Sequence, residues 1–121
     1  MTEPLVLRAL RSAIKARQPA ANLIHHTDRG GQYAGNKYRA VLRRADCLQS
    51  MSRADNCYDN SFMESCFGTI KNELDMAEYK SSQQASKEVA EYVRYYNIER
   101  RHSGIDYCSA TQCEQINILK T

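Results

Sequence analysis

Long hydrophobic runs are missing from this 121-residue chain, so no segment is a candidate membrane span. The first nineteen residues carry basic side chains on an amphipathic pattern, without the continuous apolar segment and small-residue cleavage site of a secretory signal. That stretch reads either as a structural helix or, on composition, as a transit peptide. Cysteine pairing motifs are missing too. Cys47, Cys57, Cys66, Cys108 and Cys113 form no C-x-x-C pair and their number is odd, which argues against a zinc site and against a disulfide framework. They read as reduced thiols of a cytoplasmic protein, with Cys66 packed as a small hydrophobe. Internal repeats and low-complexity segments are absent, and no pattern points to a nucleophilic serine or cysteine. Acid is scarce at the start: 27 residues precede Asp28, and Glu3 is the only carboxylate among them.

What is present is ordinary for a soluble globular protein. Hydrophobic residues make up 42% and charged residues 26%, enough for one domain with a modest core. The net charge of +3 permits a nucleic-acid partner without demanding one.

Pro4 suits the first turn of a helix, and Leu7, Leu10 and Ile14 follow at helical spacing. Pro19 ends that helix by disfavouring helical geometry at Gln18. Residues 22–28 (NLIHHTD) read as a short buried strand that delivers Asp28 to a sheet edge. Residues 32–36 form a turn, and a helix from Asn36 to Ala45 follows, with Tyr38, Val41, Leu42 and Ala45 inward. Cys47 to Ser52 is a second candidate strand, and residues 53–58 a polar loop. Ser81 and Gln84 form a capping box for a helix with Ala85, Val89, Tyr92 and Tyr96 on its inner face. The remainder, from Asn97 on, is turn-rich. One or two strands do not make a stable sheet alone, so the chain reads as part of an α/β domain whose sheet partners are missing.

The chain is organised around residues 59–74, DNSFMESCFGTIKNEL. Met63, Phe67, Ile70 and Leu74 form one helical stripe, expected to face a core; Asn60, Glu64, Gly68 and Lys71 form a second beside it. Asp59 or Asn60 is placed to cap the N-terminus. A carboxylate held at the rim of a packed face can hold a metal ion, and a lysine two turns on can touch a phosphate as a point charge. Taken alone, the helix reads as an ordinary amphipathic helix with solvated charges. The spacing adds specificity, because 35 residues lie between Asp28 and Glu64, and Lys71 shares the face of Glu64.

Three stretches carry a family resemblance: HHTDRGGQY (residues 25–33), SMSRADNCYDNSFMESCFGTIKNEL (residues 50–74) and YNIERRHSGIDY (residues 96–107). They resemble the integrase-type (DDE) transposases of bacterial insertion sequences, over nearly the whole chain. The resemblance implies an RNase H-like α/β fold and a triad of two aspartates and one glutamate. Asp28 matches the second aspartate and Glu64 the glutamate; Lys71 matches a basic residue that contacts the donor DNA end. It further implies magnesium or manganese, held by carboxylates and water, and in-line phosphoryl displacement between two ions. The implied partners are transposon-end and target DNA.

Departures from the family pattern shape the functional expectation. The first aspartate and the three opening strands have no counterpart, so the fold expected is a partial, helix-rich core. Residues 1–109 are its C-terminal part and residues 110–121 a tail. Asp46 and Asp55 stand where the family usually has glycine, at a cost of about 1 kcal/mol each, and Ser109 is followed by Ala110 rather than proline. Metal binding by two carboxylates is expected to be weak, and the isolated chain inactive. Three readings follow: a remnant of a transposase, one half of a split enzyme completed by an upstream fragment, or a non-catalytic DNA-binding or interaction module that forms mixed oligomers. Arg29 is expected either to touch phosphate or to pair with Asp28. Arg100, Arg101 and His102 track a DNA backbone or form a solvated turn. His25 and His26 point to opposite faces of their strand, in mainly structural roles or with one of them near the metal. Asn56, Asp59 and Asn60 order the loop and cap the helix, or Asp59 acts near the active site. Tyr95 and Tyr96 belong to the core, with base stacking as the alternative.

Overall fold

The computed structural model describes residues 2–53, 57–74 and 79–119. The chain divides into two compact units, Met1–Cys66 and Phe67–Thr121.

In the first unit, α1 spans Glu3–Arg17, with Pro4 in its first turn as the sequence implies. Gln18 ends it in the left-handed conformation (φ 46°), its N–H donating to Ile14 O at 2.9 Å. β1 (Ile24–Thr27) is followed by one turn of helix, α2 (Gly31–Ala34), then α3 (Asn36–Arg44) and β2 (Leu48–Met51). The two strands pair in parallel, Ile24 opposite Leu48 through Thr27 opposite Met51, so α2 and α3 form the crossover that parallel pairing requires. The core lies between α1 and α3. Val6, Leu7 and Leu10 meet Tyr38 and Leu42, with Ile14, Tyr33, Val41 and Cys47 around them.

Strand alternation sends His25 toward the helices, where its Nε2 lies 2.8 Å from Tyr38 Oη. It sends Ile24 and His26 the other way. The expectation of a buried strand is therefore corrected: Ile24 is 66% exposed and its neighbour Leu48 52%. Apolar side chains mark a face, but burial also needs a layer over that face, and no described residue of this unit supplies one.

Burial pushes the His25 pKa down, and the neighbouring His26 adds to the effect. The folded state thus binds a proton at His25 less readily than the unfolded chain does. Stability is expected to be full above the unfolded histidine value and to fall as pH drops below about 6.5. A urea midpoint series from pH 7.5 to 5 checks this, and His25→Asn should flatten the slope.

Asp46 follows α3 at φ 55°, and its carbonyl accepts from Asn22 N at 2.7 Å. This is the left-handed position at which the family's glycine would be unstrained. Asp55 and Asn56 lie outside the described residues.

α4 (Ser61–Leu74) begins in the first unit and ends in the second. Its apolar stripe is also corrected. Met63 is 52% and Phe67 53% exposed, while Ile70 and Leu74 are half-buried. The helical period is as read; the packed partner for its first two turns is absent among the described residues.

In the second unit, α5 spans Ser82–Ile98. Ser81 Oγ accepts from Gln84 N at 3.1 Å, while Gln84 Oε1 accepts from Lys80 N at 3.0 Å, a capping box closed one residue early. Ala85, Val89, Tyr92 and Tyr96 form its half-buried face, as the periodicity predicts. Tyr95 is 42% exposed, so only Tyr96 of that pair meets the expectation of core packing. The stretch after Asn97 is not turn throughout: α6 occupies Ala110–Leu119 and packs against α5. Ser109 and Gln112 cap it reciprocally, Gln112 N donating to Ser109 Oγ at 3.2 Å and Ser109 N to Gln112 Oε1 at 2.9 Å. Among the described residues no helix is long and apolar enough to cross a membrane.

Candidate functional site

In open parallel sheets, ligand sites form beyond the carboxyl ends of the strands, and here that edge carries Asp28. It is the first residue after β1, exposed, and its Oδ1 accepts from Gly30 N at 2.8 Å. A Cβ on Gly30 would meet Gln32 Nε2 at 2.8 Å and Asp28 Oδ1 at 3.0 Å, so a larger residue here would displace the ends of these two side chains. The second carboxylate oxygen has no partner among the described residues and faces solvent.

Ser52, just past β2 and 4% exposed, ties the strand ends to the segment that opens α4. Its N–H donates to Thr27 O at 2.8 Å and its Oγ to the same carbonyl at 3.2 Å. Asn60 Nδ2 donates to Ser52 Oγ. Arg29 Nε donates to Ser52 O at 2.7 Å, so this arginine braces β2 rather than pairing with Asp28. No sequence pattern singled out Ser52; a lone serine at a strand end carries no periodic signal.

The same junction holds Asp59, which accepts from Arg53 N at 2.8 Å and from Arg53 Nη2 at 3.1 Å. The Arg53 guanidinium, and after it the Arg53 backbone N–H, hold the Asp59 carboxyl below the usual carboxylate range; His26 contributes a smaller electrostatic part. His26 itself is exposed, with Nδ1 3.0 Å from Ser50 Oγ on the adjacent strand.

Glu64 follows in the first turn of α4, exposed and free of any ion pair among the described residues. Lys71, two turns on in the same helix, is exposed as well.

Within the second unit, Arg100 is engaged internally. Its Nε donates to Glu73 Oε2 at 2.7 Å and Oε1 at 2.9 Å, its guanidinium carbon lies 5.7 Å from the Tyr96 ring centroid, and Nη1 reaches His102 Nδ1 at 3.1 Å. The Glu73 hydrogen bond raises the Arg100 pKa further. His102 packs edge-on against Tyr96 at 4.7 Å. Arg101 is the exposed member of the three.

Two carboxylates with free oxygens, Asp28 and Glu64, suit a hard divalent cation. Among the described residues, however, no group of three His, Cys, Asp or Glu gathers to hold one.

Two family profiles, each described as an integrase core domain, match the chain, one over residues 45–109 and one over residues 1–57. The chain belongs to the integrase core family, in its insertion-sequence transposase branch. The RNase H-like fold of that family is represented here by a helix-rich α/β arrangement with a two-stranded parallel sheet. This integrase core is 40% identical over 119 residues to the transposase for insertion sequence element IS904 of Lactococcus lactis subsp. lactis, covering 97% of the chain and 47% of that protein. It is 39% identical over 120 residues to transposase InsF for insertion sequence IS3A of Escherichia coli, covering 98% of the chain and 42% of the relative. It is 44% identical over 105 residues to the insertion element IS600 uncharacterized 31 kDa protein of Shigella sonnei, covering 85% of the chain and 39% of the relative. The integrase core thus spans less than half the length of each of these relatives.

Proposed function

We propose that residues 1–109 correspond to the C-terminal part of a transposase catalytic core, with residues 110–121 appended. Asp28 and Glu64 are the second and third carboxylates of the acidic triad, in a protein of the cytoplasm that acts on DNA. The observation that carries the reading is the junction at Ser52. It fastens the strand end bearing Asp28 to the turn that opens α4, where Glu64 stands one turn in. Lys71 and Arg101 are exposed cations that contact transposon-end or target DNA as point charges. Arg100 and His102 shape the loop that presents Arg101, and Arg29 braces the strand ends beside Asp28.

Strand cleavage and transfer in such cores require magnesium or manganese held by three carboxylates. This chain offers two, and Glu3, the one acid upstream of Asp28, opens α1 rather than ending a strand. Its residues therefore do not fit a complete two-ion site, and no cleavage step is assigned to the chain by itself. The purified chain with magnesium or manganese is expected to leave duplex oligonucleotides uncut and unjoined above buffer background. A metal-dependent product that disappears in Glu64→Gln would overturn the proposal.

A second reading is favoured by the uncovered Ile24, Leu48, Met63 and Phe67. A separate polypeptide would cover these faces and contribute the first aspartate of the triad, since open strand edges and apolar faces seek partners. Co-expression with the N-terminal half of a related transposase is expected to give a stable complex whose DNA cleavage depends on Glu64. Failure to co-purify would count against this reading.

A further inference from the structure

The carboxyl ends of α1 and α3 lie at the opposite edge of the sheet from Asp28. α1 leads into the amino end of β1 and α3 into the amino end of β2, and Asn22 N donating to Asp46 O at 2.7 Å joins the two connections. One strand length, roughly 13 Å for four residues, separates that edge from the carboxylate edge. There an open cleft of about 420 Å³ is lined by Arg11 and Lys15 from α1 and Arg44 from α3, over an apolar floor of Ile14, Val41 and Ala45. No carboxylate lines it, and none of the three cations is in an ion pair among the described residues.

The cationic surface continues around α3. Arg39 and Arg43, one turn apart, line a neighbouring opening of about 400 Å³ against β2. Along both helices eight cations (Arg8, Arg11, Lys15, Arg17, Lys37, Arg39, Arg43 and Arg44) stand against a single acid, Glu3. The helix dipoles favour Lys15, Arg17, Arg43 and Arg44 in the last turns. They do not account for Arg11 or Arg39, nor for converging two such ends on one cleft, where like charges repel. A bound polyanion offsets that repulsion.

We propose that the α1–α3 cleft and its continuation along Arg39 and Arg43 form a second DNA-binding surface, which holds the phosphate backbone of a duplex at the edge of the sheet opposite Asp28. This rests on the reading of the chain as part of a DNA-handling core and adds to it a site that the acidic triad does not use. Five cations spread over two adjoining openings suit an extended backbone better than a single phosphate, and their solvent-facing placement suits salt-sensitive contacts without base readout.

The test is fluorescence-anisotropy binding of a random-sequence duplex by the full chain over a salt series. Each phosphate contact contributes about −0.9 to the slope of log K against log salt. Arg11→Gln/Lys15→Gln/Arg44→Gln is expected to flatten the slope by about 2 to 3, and the independent pair Arg39→Gln/Arg43→Gln by about 2. All five side chains lie outside the buried core, and thermal melts of each variant check that folding is kept. Unchanged slopes in both variants overturn the proposal, as does an unaltered chain that binds no duplex at low salt. Loss of self-association with the slope intact also overturns it and reassigns the cleft to a second copy of the chain. None of these outcomes bears on the strand-cleavage assay, so the surface and the triad reading fail separately.

Discussion

Leu42→Ala is expected to destabilise the first unit by about 3 kcal/mol. Leu42 is 1% exposed, the most deeply buried apolar side chain among the described residues, in a small core that it shares with Val6, Leu7, Leu10 and Tyr38. Truncation removes the transfer energy of the lost methyl groups and leaves a cavity that two helices on one short sheet have little means of closing. Small folded units have only about 5–15 kcal/mol in hand. A loss of this size should therefore shift the urea midpoint of the unit strongly and blunt its cooperativity. Circular dichroism with hydrogen exchange at the α1 and α3 amides reads both effects. A change under about 1 kcal/mol would mean that the α1–α3 interface is not the core of the folded protein. Val41, half-buried at the rim, serves as the contrasting position, where Val41→Ala should cost about 1 kcal/mol.

Ser52→Ala is expected to cost about 2 kcal/mol and to act on the candidate site rather than on the core. The hydroxyl both donates to Thr27 O and accepts from Asn60 Nδ2, inside a residue that water scarcely reaches. Without it, the half-buried Asn60 amide loses its acceptor, and a donor that water reaches only in part costs more unpaired than an exposed one. The backbone bond from Ser52 N to Thr27 O survives, so β1 and β2 should remain paired. The loosened element is the start of α4. Amide exchange over residues 61–64 should accelerate while the α3 amides keep their protection. Uniform acceleration across the unit would mean that the serine supports the fold generally and does not specifically tether Glu64.

Helix boundaries were legible wherever a residue imposes geometry. Pro4 and Pro19 bracket α1, the Ser81–Gln84 pair opens α5, and Asp46 adopts the left-handed turn that its glycine-like position implies. The stripe of Ala85, Val89, Tyr92 and Tyr96 was legible because four helical repeats leave little choice of face. Elements without enough repeats were not. α2 has four residues, fewer than two turns, and read as a turn. α6 is weakly amphipathic, with Ile116 and Ile118 both exposed, although the Ser109–Gln112 spacing carried the same capping signal that located α5.

Asp28 at a strand end could be read from the apolar run that precedes it. The Ser52 tether could not, because it joins a backbone carbonyl, an arginine and an asparagine that are scattered along the chain. The largest difference concerns burial. Ile24, Leu48, Met63 and Phe67 are apolar on the expected faces yet exposed, since a periodic pattern specifies which side is apolar but not what covers it.

The parallel register of β1 and β2 also sets an order of events during synthesis. Ile24 must wait for Leu48, and α1 for Leu42, before either has its neighbour. At roughly 5–20 residues per second, a ribosome holds that part of the chain unfinished for seconds. During that interval α1, bearing Arg8, Arg11, Lys15 and Arg17 beside an uncovered apolar stripe, emerges as a basic amphipathic segment without its partner helix. Such a segment is suited to capture by chaperones or by anionic surfaces. The yield of folded protein is then governed by how quickly α3 follows α1, and slowing translation between residues 18 and 44 should lower it.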